Sequence, residues 1–187
     1  MKRILAARLR KCGDIWKIDE NILNDFGFKF LGRGGFRIGF RRNNIVVKIG
    51  KTYPCNEEMY FYRKIQKHPI LRYTFIPIFS NTKIDDKYSM MISAFGESRS
   101  CNKSYEFKNR ELQNQRNIFC EIYKDAYPNN LKIFGSYLVM IDCNIGLFNF
   151  KEKSVKNWKN SINFKKHVKE YEEKKEIARL EYEEFIK

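Results

Sequence analysis

The sequence predicts an α+β fold, with an antiparallel sheet in the first half and mainly helices in the second. Three observations carry this. Residues 28–49 alternate apolar and polar side chains and break at glycines, as short antiparallel strands do. Ile45-Val46-Val47 is a β-branched run that reads as a buried strand. Residues 160–186 form a charged amphipathic helix. The 187 residues suit one domain, or little more, with a core that needs no metal or disulfide staple. We divide the chain into a basic segment over 1–25, a sheet-rich lobe over 26–95 and a helical lobe over 96–187.

The elements follow in order. Residues 1–12 place Ile4, Leu5 and Leu9 at helical spacing among Lys2, Arg3, Arg8, Arg10 and Lys11, which predicts a short basic helix. Phe28 to Leu31 and Phe36 to Phe40 read as two strands joined by Gly32-Arg33-Gly34-Gly35. Arg41 to Asn44 supplies a turn before the third strand, because Asn tolerates positive φ. Phe28, Phe30, Phe36 and Phe40 read as core and strand packing. A helix follows to about Lys67, with Asn56 as its cap and Glu58, Phe61, Tyr62 and Ile65 on the inward face. Residues 69–79 read as loop or extended chain, and Tyr88–Phe95 as a strand.

A second helix is predicted over about 105–124, then a loop from Asp125 to Asn130 set by its Pro and Asn content. Leu131–Phe134 and Tyr137–Ile141 form a hairpin around Gly135-Ser136. The final helix is expected to pack Val168, Tyr171, Ile177, Leu180 and Phe185.

Composition excludes several classes. At 43% hydrophobic and 16% aromatic, the chain is no disordered tail. No apolar run approaches the roughly 18–20 residues that cross a bilayer, so no membrane role is expected. Five cysteines without a CxxC pair argue against a disulfide framework and for a reducing compartment, the cytoplasm. Two distant histidines, His68 and His167, give no zinc spacing and no hydrolase pair, and both read as surface or partly buried bystanders. The net charge of +15 points to a polyanionic partner such as nucleic acid. Most of that excess falls in residues 1–12 and 28–48.

The polar exceptions form a series. Gly32, Gly34 and Gly35 lie between two strands, and Lys48 ends a Val-Val run. Glu58 points inward from the next helix, with Glu57 on a wetter side as its rival; Asp125 and Asn130 share one loop, and Asp142 ends a strand. Glycines let backbone N–H groups approach phosphate oxygens, with Arg33 and Arg37 as flanking cations. A lysine neutralises those oxygens, and a buried glutamate fixes its direction. Asn and Asp are hard oxygen ligands that suit Mg²⁺.

This order and spacing resembles the protein-kinase-like fold, an antiparallel-sheet N-lobe with a reduced, mainly helical C-lobe. Val46-Val47-Lys48 stands where the family's VAIK lysine belongs, and Tyr123-Lys124-Asp125 takes the HRD place with Asn130 five residues on. Asp142-Cys143-Asn144 takes the DFG place. A finer resemblance is to the small kinase-like proteins encoded by bacteriophages. It rests on Gly32-Arg33-Gly34-Gly35-Phe36-Arg37, on Asn56 before Glu58, and on Asp125-Ala126-Tyr127-Pro128-Asn129-Asn130.

The resemblance implies ATP and Mg²⁺ as cofactors and phosphorylation of a protein hydroxyl. Lys48 and the glycine loop, with Arg37, would hold phosphates, and Glu58 would orient Lys48. Asp125 would accept the hydroxyl proton. Asn130 and Asp142 would hold the metal, and backbone groups of Ser93, Ala94 and Phe95 would receive adenine. It further implies a phage source, with action in the host cytoplasm or in the virion. The sequence departs from the family at Arg37, where a third glycine is usual, and at Gly39, where valine covers adenine. Cys143 replaces the usual aromatic, and no APE element follows. These departures keep a second reading open, a pseudokinase that docks a protein partner without chemistry. A basic nucleic-acid-binding protein is the third.

Overall fold

A computed structural model describes residues 2–14, 17–98, 107, 109–124, 126–142 and 148–187. The fold is α+β. The chain divides into two compact units. The first comprises Met1–Met59, Pro77–Phe95 and Lys175–Lys187. The second comprises Tyr60–Ile76 and Gly96–Lys174.

In the first unit a basic helix, α1 (Lys2–Cys12), precedes β1 (Lys29–Arg33), β2 (Arg37–Arg42) and β3 (Ile45–Lys51). Helix α2 (Thr52–Gln66) follows, of which Thr52–Met59 belongs to this unit, then β4 (Ile78–Lys83) and β5 (Tyr88–Ala94). The five strands form one antiparallel sheet in the order β1-β2-β3-β5-β4. The chain therefore places a helix between the central strand β3 and the edge strand β4.

Strand β3 is central, so Ile45, Val46, Val47 and Ile49 are all buried, as the β-branched run predicts. The turn before β3 holds Asn43 at φ 40°, a conformation asparagine accepts readily. The last part of helix α5 (Phe164–Ile186) adds to this unit: Phe185 packs edge-on against Phe28, and Tyr182 stacks on Phe79.

Three local expectations need correction, and one strand lies beyond what was expected. Helix α2 starts at Thr52, directly after β3, so Asn56 lies inside it and accepts from the Asn81 amide at 2.9 Å. Residues 78–83 are a strand; their half-exposed pattern marks a sheet edge, where alternation is weak. Phe36 is 61% exposed, because it sits at the tip of the β1–β2 loop rather than on a strand face. Ile177 and Leu180 are exposed, and Ala178 with Phe185 forms the buried side of α5 in this unit.

The second unit contains α3 (Arg110–Ile122), the hairpin of β6 (Leu131–Phe134) and β7 (Tyr137–Met140), and α4 (Glu152–Asn160). Helix α3 is shorter than expected. Asn109 caps it by accepting from the amides of Glu111 and Leu112, which fixes its start. The core is aromatic. Trp158 of α4 meets Phe119, Phe164 and His167, and Tyr171 meets Tyr73 and Phe134. Among the described residues, no helix is long and apolar enough to cross a membrane.

His167 is fully buried, unlike the bystander its scarcity suggested. The rings of Tyr73, Tyr137, Trp158 and Tyr171 surround it. Its Nε2 lies 2.8 Å from the Tyr73 carbonyl, so Nε2 carries the proton and donates. Burial lowers its pKa below the ordinary 6.5, against the opposing pull of the Tyr73 carbonyl and Glu170. The unfolded chain therefore takes up this proton more readily than the folded one. The neutral ring's contribution is complete above about pH 6.5 and declines as pH falls through that value. It stops declining once pH is below the folded pKa. Urea titrations at pH 8 and 5.5 should show this loss, at up to about 1.4 kcal/mol per pH unit. In His167→Gln that component should be absent.

Candidate functional site

One group of candidate residues, in the first unit, is built on β2, β3 and α2. Helical spacing turns Glu58 inward beside Phe61, Tyr62 and Ile65, and all four are buried. Lys48 sits mid-strand on β3, opposite Gly39 and Met91. Its Nζ donates to Glu58 Oε1 at 3.1 Å. Lys48 is 12% exposed and Glu58 is at 0%, so water screens the pair little.

A second cation shares the carboxylate. Arg37, at the start of β2, donates through Nη1 to Glu58 Oε2 and through Nη2 to the Pro54 carbonyl at 3.3 Å. Arg37 thus ties the end of the glycine loop to the first turn of α2.

Gly50 makes that crossing possible, and the sequence reading overlooked it. Gly50 pairs with Arg37 across β2 and β3. A Cβ there would lie 2.6 Å from Arg37 Cγ and 2.9 Å from the Phe36 carbonyl oxygen. Its signal in the sequence is a glycine inside a strand pattern, which often marks close approach of another group. Gly50→Ala is expected to cost about 1–3 kcal/mol in urea unfolding through this overpacking. In an Arg37→Ala background the added cost of Gly50→Ala should be smaller, because the closer of the two clashes is gone.

The glycine loop has a different character. Gly34 donates its amide to the Arg37 carbonyl at 2.8 Å, closing the turn. A Cβ at Gly32 or Gly35 would meet nothing within 4 Å. Packing within the chain therefore does not require glycine at those two positions, and the backbone there is open to approach. Arg33 donates to the Ile18 carbonyl at 3.1 Å.

At the end of β5 the expected adenine-facing backbone is partly engaged. The Ala94 amide donates to the Pro77 carbonyl at 2.8 Å, and the Phe95 amide to the Asn44 carbonyl at 2.7 Å. Ser93 is buried between Val46 and Ile78. The Arg41 guanidinium lies 3.5 Å above the Phe95 ring.

A separate group of candidate residues, in the second unit, lies around the β6–β7 hairpin. Leu131 pairs with Met140, and the Ile141 amide donates to the Asn130 carbonyl at 2.9 Å. This register places Asn130 opposite Ile141 and Asp142 one residue beyond, at the same end of the hairpin. An amide oxygen and a carboxylate so placed suit Mg²⁺, which takes few protein oxygens and keeps waters or phosphates for the rest. Among the described residues, no group of three His, Cys, Asp or Glu side chains stands together.

Asp125, Cys143 and Asn144 lie outside the described residues. The chain beside Asp125 is anchored, however. Tyr123 is fully buried, stacks on Phe119 and bonds through its hydroxyl to Thr74 Oγ1. Its carbonyl accepts from the Ala126 amide at 3.1 Å. The sequence reading placed Tyr123 in a motif without giving it this anchoring role.

Comparisons with known proteins add little. No protein-family model matches the sequence, and no curated protein matches it. Among solved structures, the chain is similar to WbdD in co-crystal with the kinase inhibitor LY294002. The identity is 13% and the TM-score 0.44, over 78% of this chain and 45% of that one. A structure described as a high-resolution crystal structure of WbdD gives 12% and 0.46 over the same shares. A third, described as the bifunctional kinase-methyltransferase WbdD, gives 12% and 0.43 over 74% and 42%. This chain spans less than half the length of each.

Proposed function

We propose that the chain is an ATP-dependent phosphotransferase that acts on a protein hydroxyl. The observation that carries this reading is the Lys48–Glu58 pair, with its carboxylate at 0% exposure. A buried ion pair is a weak device for stability. It is a good one for aiming a lysine at phosphate oxygens.

Lys48 and the open glycine loop would hold the nucleotide phosphates. Asn130 and Asp142 would hold Mg²⁺, which when bound neutralises charge on the transferring phosphate. Asp125 would take the proton of the acceptor hydroxyl as its oxygen bonds to the γ-phosphorus and ADP leaves. Positioning and electrostatics then supply the rate. The bacteriophage setting rests on the loop resemblance alone.

A second reading, a pseudokinase that docks a protein partner, is favoured by two observations. Arg37 already occupies one oxygen of Glu58, and the Ala94 and Phe95 amides are engaged within the chain.

Calorimetry with Mg-ATP, followed by transfer of labelled γ-phosphate to a generic protein acceptor, tests both. Binding with transfer supports the enzyme. Binding without transfer supports the pseudokinase. No heat from wild type and Asp142→Ala alike would sink the kinase reading.

A further inference from the structure

A kinase site leaves helix α1 without a role, although the helix is strongly basic. We propose that the cleft between α1 and β4 binds the phosphodiester backbone of a nucleic acid strand. The cleft has a volume of about 470 Å³ and is lined by Lys2, Arg3, Ala6, Arg10, Thr82 and Lys83. Four of its six lining residues are cationic, and none is acidic. Both walls belong to the first unit.

The cations are held in a row. Arg3, Ala6 and Arg10 follow i, i+3, i+7 spacing and share one helix face. Leu5, Ala6 and Leu9 are buried, which fixes the rotation of the helix and leaves Arg3 and Arg10 exposed beside them. Arg10 donates through Nε to the Ile84 carbonyl, pinning the end of α1 beside the end of β4. The other N–H groups of its guanidinium remain as donors on the same fork. At 1.5 Å per residue, Arg3 and Arg10 are about 10 Å apart along the axis. A nucleic acid strand presents about three phosphates over that length. The small side chain of Ala6 lets a backbone come close between them.

Charge balance favours an anion here. Arg8, pointing to another side of the helix, is paired with Asp25 at 2.6 Å over the Phe26 ring. Lys2 and Arg3 make no ion pair among the described residues. Lys83 pairs with Asp86, but both side chains are largely exposed and such a pair holds weakly. A phosphate backbone can therefore draw Lys83 across.

The test uses the full chain and a fluorescein-labelled 20-nucleotide single strand, read by anisotropy between 50 and 300 mM KCl. Three or four phosphate contacts predict a slope of log K against log salt of about −2 to −3. Lys2→Glu/Arg3→Glu/Lys83→Glu should weaken binding at least tenfold and flatten the slope by about 2. The control Lys153→Glu/Lys165→Glu/Lys169→Glu makes the same charge change on exposed sites of the second unit and should alter binding less than threefold.

If the cleft variant does not fold, Lys2→Gln/Arg3→Gln replaces it, with a threefold or greater loss expected. A loss no greater than the control's overturns the proposal, as does salt-independent binding or none. Tighter association with phosphatidylserine vesicles than with the oligonucleotide at 150 mM KCl also overturns it. Each outcome stands whether or not the chain transfers phosphate.

Discussion

Glu58→Ala should lower the free energy of unfolding by about 3–5 kcal/mol, read as a fall in the urea midpoint at constant m-value. The carboxylate is fully buried, and Arg37 and Lys48 both close on it. Its removal takes away the group that holds two largely buried cations and leaves a space in the packed face of α2. Glu58→Gln keeps the shape and one acceptor oxygen, so its cost should be smaller, about 1–3 kcal/mol. Lys48→Met should cost less than Glu58→Ala, because Arg37 still balances the carboxylate. A loss below about 1 kcal/mol for Glu58→Ala would show that the carboxylate is not the buried centre of this cluster.

That cluster shows where sequence reasoning works and where it stops. Glu58 was legible because i, i+3, i+4 and i+7 spacing puts it with Phe61, Tyr62 and Ile65, and burial then demands a cation. Lys48 was legible as the polar residue of a β-branched strand. The role of Arg37 was not. Its reach to Glu58 depends on strand register and on Gly50 lacking a Cβ, and neither shows in the pattern of a single strand.

Other gaps have similar causes. Strand β4 is an edge strand with a mixed face. Helix α4 has only Ser154, Val155 and Trp158 buried in nine residues, too few for a periodic signal. The burial of His167 rests on a carbonyl far away in the chain, that of Tyr73. The hairpin that unites Asn130 and Asp142 was legible, since two short apolar runs around Gly135-Ser136 define its register.

The proposed roles of Lys48 and Asp142 should separate in one measurement, nucleotide affinity with and without magnesium. In wild type, Mg²⁺ should tighten ATP binding at least tenfold over EDTA, because it neutralises phosphate charge held beside Asn130 and Asp142. Asp142→Ala removes the charged ligand, so the ratio should collapse toward one while affinity in EDTA stays near that of wild type. Lys48→Met should weaken binding under both conditions and leave the ratio intact, because the lysine meets phosphate oxygens without the metal. Phosphate transfer, where wild type shows it, should fall at least a hundredfold in either variant. Asn130→Ala should behave as a milder Asp142→Ala, since a neutral amide contributes less to a divalent cation than a carboxylate. If Asp142→Ala and Lys48→Met lower affinity by the same factor with and without magnesium, the carboxylate is not a metal ligand. In that case the hairpin end serves structure alone.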